Sequence, residues 1–387
     1  MTDKKQKDLD FLRSELDKLD ESILDALTRR KNIVGEIFSQ KIDGDTNIRD
    51  RNREEQVIGR ILEMARKRGI DQYFVEQIFR EIIHHSVRFQ NHSLVDEQNK
   101  QTDVESIHVA YQGTDGAYSH MAALRHFEER YDQVHCLGFD TFKEAADAVE
   151  KGDFDYAILP VENTTAGSIN DTYDILGEGD LDIVGEEVLR ISHCLLALEK
   201  IPLSNIRRII SHPQALAQCT QFLSRLPRVK VESYLDTALA AKKVFEDEDL
   251  SQAAIASSQA ADIYGLKIIE RDIANQKGNY TRFVVVAREP VSIDLQIPCK
   301  TSLMLSTGHE KGDLLRCLNV LGNHDINMTK LESRPILGKP WKYLFYLDIE
   351  GNIRDPEVEK ALDELKEEAA SLKILGCYPR QVTPYQE

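Results

Sequence analysis

From about Asp8 to Gln90 the apolar positions recur at three- and four-residue steps, the period of a helix and not of a strand. Leu12, Leu16, Leu19, Ile23, Leu27, Val34 and Ile37 share one face. The pattern breaks at Asp43-Gly44-Asp45 and again at Arg68-Gly69-Ile70-Asp71, where glycine beside acidic residues favours a turn. Three helices are predicted, the first much the longest. A polar stretch, Asn91 to Asp103, carries few large apolar residues and reads as a linker. Beyond it the period changes. Short β-rich runs at Ile107–Tyr111, Tyr156–Pro160, Ile209–Ser211, Ala253–Ala256 and Phe283–Ala287 alternate with helical stretches such as Tyr118–Glu129 and Pro213–Leu226, which predicts an α/β domain with parallel sheet. After Pro290 and Pro298 the order is strand Lys300–Ser306, helix Asp313–Leu321, strand Ile326–Arg334, strand Tyr343–Ile349, helix Pro356–Ala370 and strand Lys373–Tyr378. That βαββαβ order is ferredoxin-like. The expected division is a helical domain at 1–95, an α/β domain at 104–290 and an α+β domain at 297–387.

A chain of 387 residues accommodates two or three such domains. Its net charge of −17 repels nucleic acid and anionic membrane over most of the surface, so an anionic substrate has to be captured by locally concentrated Arg and Lys. No apolar run approaches membrane-spanning length, and MTDKKQKDLD offers no apolar stretch for a secretory signal. A cytoplasmic enzyme is expected. The six cysteines lie far apart without a C-x-x-C pair, and the eleven histidines include no H-E-x-x-H. No metal and no cofactor are predicted, and the thiols should be reduced.

The apolar stripe of the first helix meets charges. Arg30 sits between Leu27 and Val34 in the same register, Lys41 follows Ile37 by four, and Arg13 lies at the edge beside Leu12. A single arginine there ordinarily snorkels to solvent or pairs with a carboxylate. The other helices change that balance. Asp50, Arg53 and Glu54 precede the apolar face of the second, while Phe79, Ile83, Ser86 and Gln90 put two polar groups at the end of the apolar face of the third. A buried cation without a partner costs several kcal/mol, so these cations should face an anion. A first helix of roughly 30 residues would also run ~45 Å, more than a three-helix unit can cover alone. An intertwined homodimer is therefore predicted, with a higher oligomer left open.

These positions match the helical chorismate mutase family, which the N-terminal segment resembles. The resemblance implies that Arg13 from a second copy and Arg30 bind the two substrate carboxylates, and that Lys41 and Gln90 donate to the ether oxygen. Asp50 and Glu54 would hold the ring hydroxyl, with Arg53 and Ser86 completing the lining.

Four motifs mark the middle domain: GTDGAYSH (Gly113–His120), LPVENTTAGSIND (Leu159–Asp171), SHPQALAQC (Ser211–Cys219) and NYTRF (Asn279–Phe283). All but the last run from a strand end into a loop or helix start, where open α/β sheets place ligands. Each alone is equally the composition of ordinary turns and caps. In this order they resemble prephenate dehydratase. That family's fold is two α/β lobes, like a periplasmic binding protein, with the substrate between them. The resemblance implies that Thr281 is the catalytic hydroxyl, with Arg282 and Phe283 beside it, and that Asn163, Thr164, Ser211, Gln218 and Ser119 line the cleft. Where relatives usually carry Ser-Thr, this chain has Asp236-Thr237, and Asp236 is assigned no role. Glu162 is the carboxylic acid nearest by motif.

The last segment resembles an ACT regulatory domain of the phenylalanine-binding kind. Glu332-Ser333-Arg334-Pro335 matches its ESRP motif, and Gly312-Asp313-Leu314-Leu315 stands where Gly-Ala-Leu-Val is usual. The resemblance implies an effector site at Gly312, Leu314, Glu332, Ser333, Arg334 and Pro335, and L-phenylalanine as feedback inhibitor. The whole would convert chorismate through prephenate to phenylpyruvate. A prephenate dehydrogenase would need a dinucleotide fingerprint, and Gly177-Glu178-Gly179 lacks the third glycine. A non-catalytic binding module is the other alternative, because two-lobed domains often only bind.

Overall fold

The computed structural model describes residues 2–42, 51–99, 104–308, 310–336, 338 and 341–381, the side chains of 2–8, 38–42 and 51 excepted. Two compact units form, one within Met1–Asp96 and one within Glu97–Thr383. The first is helical: α1 (Thr2–Ile42), α2 (Arg51–Arg68) and α3 (Gln72–Gln98). Gly69 ends α2 in the left-handed region at φ 68°, and the amides of Gly69 and Ile70 return to the carbonyls of Arg66 and Ala65, a Schellman closure that glycine permits. The predicted break at Asp43-Gly44-Asp45 lies outside the described residues. The linker expectation is corrected. Helix α3 runs on to Gln98, because Asn91, Leu94 and Val95 continue the buried face begun at Ile83 and Gln90.

The second unit holds three sheets. In chain order its elements begin with β1 (Ser106–Gln112), α4 (Tyr118–Phe127), β2 (Gln133–Phe139), α5 (Phe142–Glu150), β3 (Tyr156–Asn163), β4 (Gly167–Ser168), α6 (Asn170–Glu178) and β5 (Asp182–Arg190). These build a first lobe. The chain then crosses to a second: β6 (Cys194–Ala197), β7 (Arg208–Ser211), α7 (Pro213–Gln218), α8 (Thr220–Leu223), β8 (Lys230–Ser233), α9 (Thr237–Asp247), β9 (Gln252–Ala256), α10 (Ser258–Tyr264) and β10 (Lys267–Glu270). It returns to the first lobe as β11 (Tyr280–Ala287). The sheet orders are β2-β1-β3-β11-β5, with β4 on β3, and β10-β6-β9-β7-β8.

Neither sheet is purely parallel, which corrects the prediction. Strand β11 runs antiparallel between β3 and β5, and β6 runs antiparallel to β9 and β10. Both strands follow a crossing between lobes instead of a helical crossover, so nothing compels them to run parallel. The helix expected over 213–226 is interrupted at Cys219 (φ −115°), where Asn275 Oδ1 accepts the Gln221 amide.

The remaining elements are β12 (Cys299–Ser306), α11 (Asp313–Asn323), β13 (Met328–Pro335), β14 (Tyr343–Glu350), α12 (Pro356–Glu368) and β15 (Ser371–Pro379). Their sheet, β13-β14-β12-β15, is antiparallel throughout, the ferredoxin-like order predicted. One face packs on α11 and α12 through Leu303, Leu305, Leu347 and Ile349. The other meets the first lobe, where Tyr346, Leu375 and Tyr378 share a core with Val284 and Val286. All six cysteines are free thiols. Among the described residues no helix is long and apolar enough to cross a membrane, and no cluster of His, Cys, Asp and Glu could hold a metal ion.

Candidate active sites

In the helical unit, Ser86 and Gln90 stand one turn apart on α3, and Gln90 is buried. Arg30 reaches Ser86 from α1: its Nη1 donates to Ser86 Oγ and, at 3.4 Å, to the Ile82 carbonyl. Ser86 itself donates to that carbonyl at 2.8 Å. Both acceptors of Arg30 are neutral, and burial lowers its pKa, so its charge lacks the compensation a carboxylate would bring. Arg13 is seventeen residues earlier on the same helix, about 25 Å along the axis. It is exposed and pairs with Asp10 at 3.4 Å. One chain therefore does not bring Arg13 to Arg30. Arg53 and Glu54 occupy the first turn of α2. Lys41 lies in the last turn of α1, its side chain outside the described residues, as is the whole of Asp50.

Among the described residues nothing covers the first part of the apolar stripe of α1. Leu12, Leu16, Leu19 and Ile23 are each more than half exposed, although a face of this kind is ordinarily buried.

In the two-lobed unit the motifs converge on Thr281. Asn163 ends β3 beside Thr281 on β11, in register with it. Asn163 Oδ1 accepts the amides of Thr165 and Ala166 at 3.0 and 2.9 Å. Amides can only donate, so they settle which way the Asn163 side chain is turned. Its Nδ2 therefore faces Thr281 and donates to Oγ1 at 2.9 Å, and to Asn279 Oδ1 at 2.8 Å. Thr281 Oγ1 is an acceptor in that bond and keeps its own proton to donate. Thr164 closes the frame, its Oγ1 accepting the Tyr280 amide at 2.9 Å and donating to the Gly278 carbonyl at 3.2 Å. Gln218, at the end of α7, comes from the second lobe: its Nε2 donates to Thr165 Oγ1 at 2.5 Å, and its Oε1 accepts from Asn279 Nδ2 at 3.1 Å.

The other expected cleft residues are placed differently. Side chains alternate across a strand, so Arg282 leaves the face that Thr281 occupies. Its guanidinium donates to Glu186 at 2.7 Å, to Tyr378 Oη at 2.7 Å and to Asp348. Lys300 joins Glu186 at 2.8 Å. Burial opposes ionisation of Glu186, but Lys300 and Arg282 outweigh it and hold the carboxyl below its ordinary value. Phe283 is core, packed with Val285 and Phe127. Ser211 is fully buried and donates to the Ile255 carbonyl at 2.5 Å, tying β7 to β9 instead of offering a donor to the cleft. Ser119 is buried in the first turn of α4. Glu162 also faces away, accepting Lys330 Nζ at 2.8 Å. Asp236 caps α9, taking the amides of Ala238 and Leu239 at 2.5 and 3.0 Å.

Four residues of this network carry no role in the sequence reading: Thr165, Asn279, His193, whose Nε2 lies 2.8 Å from Gln218 Oε1, and Tyr118, whose Oη lies 3.1 Å from His193 Nδ1. Asn279 and Tyr118 fall inside quoted motifs, and Thr165 inside NTTAG. His193 carries no local signal, being a lone histidine between strands.

On the terminal sheet, Lys330, Glu332 and Arg334 alternate toward the first lobe. Ser168 donates to Glu332 at 2.6 Å, and Arg334 pairs with Asp174 through both nitrogens. Glu332 and Arg334 thus engage the same chain. Ser333 and Pro335 face the opposite way and are exposed. Gly312 (φ 87°) caps α11. Asp313 accepts the Glu310 amide at 2.8 Å and pairs with Arg316 at 2.5 Å, so the carboxylate braces its own loop. Leu314 follows, half-buried.

Residues 12–91 match the family model described as chorismate mutase type II, and residues 109–291 that of prephenate dehydratase. The bifunctional chorismate mutase/prephenate dehydratase of Escherichia coli (strain K12) is 40% identical over 370 residues, covering 96% of each chain. Two solved structures match the second unit at a TM-score of 0.65. The prephenate dehydratase of Arthrobacter aurescens in complex with L-Phe is 28% identical, covering 71% of this chain and 90% of its own. A protein titled GqqA, a quorum quenching acylase, is 34% identical, covering 72% of this chain and all of its own. With two matched domains in one order and a relative aligned almost end to end, the chain belongs to the bifunctional chorismate mutase/prephenate dehydratase family.

Proposed function

We infer that the helical unit rearranges chorismate to prephenate, that the two-lobed unit converts prephenate to phenylpyruvate, and that L-phenylalanine inhibits the second step. The observation that carries the reading is the orientation at Thr281: Asn163 donates into its oxygen, leaving the hydroxyl proton directed elsewhere.

A Claisen rearrangement needs no nucleophile and no proton transfer. As the C–O bond breaks, negative charge builds on the ether oxygen, and donors already in place there stabilise the transition state more than the ground state. Gln90 and Lys41 take that role, while Arg30 and Arg13 of a second copy hold the two carboxylates in the compact reactive conformer. Asp50 and Glu54 bind the ring hydroxyl, and Arg53 and Ser86 complete the lining. The neutral partners of Arg30 and the open stripe of α1 support a homodimer built through that helix.

In prephenate the bond to the ring carboxylate breaks, its electrons complete the aromatic ring, and the ring C–O bond breaks on the far side. Carbon dioxide leaves, and hydroxide has to depart as water. A threonine hydroxyl is too weak an acid to be ionised near neutrality, so Thr281 donates a hydrogen bond to the departing oxygen or relays a proton to it. Asn163, Thr164 and Gln218 frame the substrate beside it, with Ser119 at the start of α4.

For regulation, the relative solved in complex with L-Phe supports phenylalanine as the effector, and the terminal domain is the place we assign its site. Gly312, Leu314, Ser333 and Pro335 would form it, with Glu332 and Arg334 linking that strand to the first lobe. The substrates and the chain's composition fit a cytoplasmic enzyme. Incubating the pure protein with chorismate and following ultraviolet absorbance tests the reading. Phenylpyruvate formed without added nucleotide is the expected product. Accumulated prephenate would leave the two-lobed unit a binding module.

A further inference from the structure

The segment that carries the chain out of the first lobe, between β5 and β6, holds a buried histidine that the mechanism above does not use. His193 is 2% exposed. Its Nε2 lies 2.8 Å from Gln218 Oε1, and its Nδ1 lies 3.1 Å from Tyr118 Oη. Gln218 Oε1 also takes the Asn279 amide, so it is an acceptor and Nε2 must carry the imidazole proton. Burial, opposed by the bond to Gln218, lowers the pKa of His193 and keeps the ring neutral. Nδ1 is then bare and faces the Tyr118 hydroxyl, whose single proton is shared between the Ser192 carbonyl at 2.7 Å, the nearer acceptor, and Nδ1 at 3.1 Å.

From that starting point every bond runs in one direction. His193 Nε2 donates to Gln218, Gln218 Nε2 to Thr165 Oγ1 at 2.5 Å, and Thr165 Oγ1 to Asn163 Oδ1 at 2.7 Å. Asn163 Nδ2 then donates to Thr281 Oγ1 at 2.9 Å. We propose that His193, held by Tyr118, is a positioning residue for the dehydratase: by pinning the Gln218 amide it fixes the direction of the Thr165 hydroxyl bond into Asn163 Oδ1, reinforcing the orientation that the backbone amides already give Asn163 and so holding the Thr281 proton toward the cleft.

The weak point of the chain is Gln218. Its amide oxygen and nitrogen differ little in shape, and a half-turn would set Oε1 against Thr165 Oγ1 and near Asn163 Oδ1, now 3.5 Å from Nε2. Thr165 would then donate to Gln218, and Asn163 would lose that donor. Two donors prevent the turn, Asn279 and His193. They stand on the two crossings between lobes, so the path of the chain itself fixes the amide. Hydrogen bonds aligned in one direction also polarise one another, which strengthens the last bond, at the reacting hydroxyl.

The inference rests on the dehydratase reading of Thr281, and the test separates the two. In the full-length protein, His193→Phe should lower dehydratase kcat by about 10- to 100-fold, the range a misplaced catalytic group produces, with KM within about threefold and mutase turnover unchanged. His193→Gln, which restores an N–H near the position of Nε2, should recover most of the loss. Dehydratase kcat within about twofold of wild type in His193→Phe, equal loss in the Phe and Gln variants, or a change confined to KM would each overturn the proposal. If His193→Phe does not fold, Tyr118→Phe and His193→Gln decide instead. The first should lose several-fold in kcat and the second little, and unchanged turnover in Tyr118→Phe counts against the proposal. Thr281→Val is measured in parallel: if it retains full activity the site itself is misassigned and this inference falls with it, whereas a loss there beside an unaffected His193→Phe removes this inference alone.

Discussion

The two units assemble their sites in opposite ways. Around Thr281 the polar groups are matched within one chain: Asn163, Thr165, Gln218 and Asn279 satisfy one another, drawn from both lobes and from a crossing between them. In the helical unit Arg30 meets only neutral acceptors among the described residues, Arg13 stands about 25 Å away along the same helix, and Leu12, Leu16, Leu19 and Ile23 of the apolar stripe of α1 are exposed. A sheet whose chain crosses between lobes can bring distant segments together by itself. A long helix holds its residues at fixed spacing along a rod, and only another chain can add what that spacing keeps apart.

The strongest way to break this contrast is to charge the stripe. Leu16→Asp with Leu19→Asp should abolish mutase turnover, a loss of about 10³-fold or more if two carboxylate-binding arginines come from different chains. Dehydratase turnover should persist. Sedimentation velocity on the same variant should show the loss of the dimer, and an unchanged mass with an active mutase would end the contrast. Next in size is Thr281→Val, which keeps the shape and removes the hydroxyl. A fall of about 10²- to 10³-fold in dehydratase kcat is expected, the scale seen when one donor to a developing charge is removed, with the mutase untouched. Gln90→Ala sharpens the same division from the other side. It should cost the mutase about 10²-fold, far beyond any effect on its unfolding transition, and leave phenylpyruvate formation from added prephenate intact.

Lys330→Met addresses how the terminal domain reaches the dehydratase site. Its ammonium holds Glu162, the neighbour of Asn163, from the face opposite the cleft. Basal turnover should change little, while the phenylalanine concentration for half inhibition rises by about 5-fold or more, a modest coupling energy. Unaltered inhibition would place the link elsewhere, at Arg282 with Asp348 or at Glu332 with Ser168. The smallest effect concerns acid. Glu186 is held below its ordinary value of 4.5 by Lys300 and Arg282 against the penalty of burial, and Asp348 is likewise depressed by Arg282 and Lys300 against its own burial. A depressed native pKa contributes stability that is present above the unfolded value and lost as pH falls through the native one. Thermal midpoints should therefore hold down to about pH 5 and fall below it. Arg282→Met should lower the midpoint at neutral pH and flatten that acid limb, which calorimetry would register.

Much of the architecture was legible because it is written in local periods. The three helices, the closure at Gly69 and the βαββαβ order of the terminal unit follow from three-, four- and two-residue spacings, which need no knowledge of distant residues. The linker failed for a local reason as well. Leu94 and Val95 are few but correctly spaced, and spacing outweighs composition. Strand direction was not local. The antiparallel strands β6 and β11 each follow a crossing between lobes.

The sites divide along the same line. Sequence by itself determined that Arg30, Ser86 and Gln90 face one interior, since helix geometry places them there whatever they touch, and that NYTRF and NTTAG belong to one site by resemblance. The strand expected over Phe283–Ala287 stopped short of Thr281 and Arg282, so their opposite facing was not readable. Only the tertiary structure decided that Arg282 and Glu162 turn toward the terminal sheet, that Ser211 and Phe283 belong to the interior, and that His193 and Tyr118 join the chain of donors ending at Thr281. The physical reason is that a hydrogen bond's direction depends on its partner, and these partners lie as many as 168 residues apart in the chain.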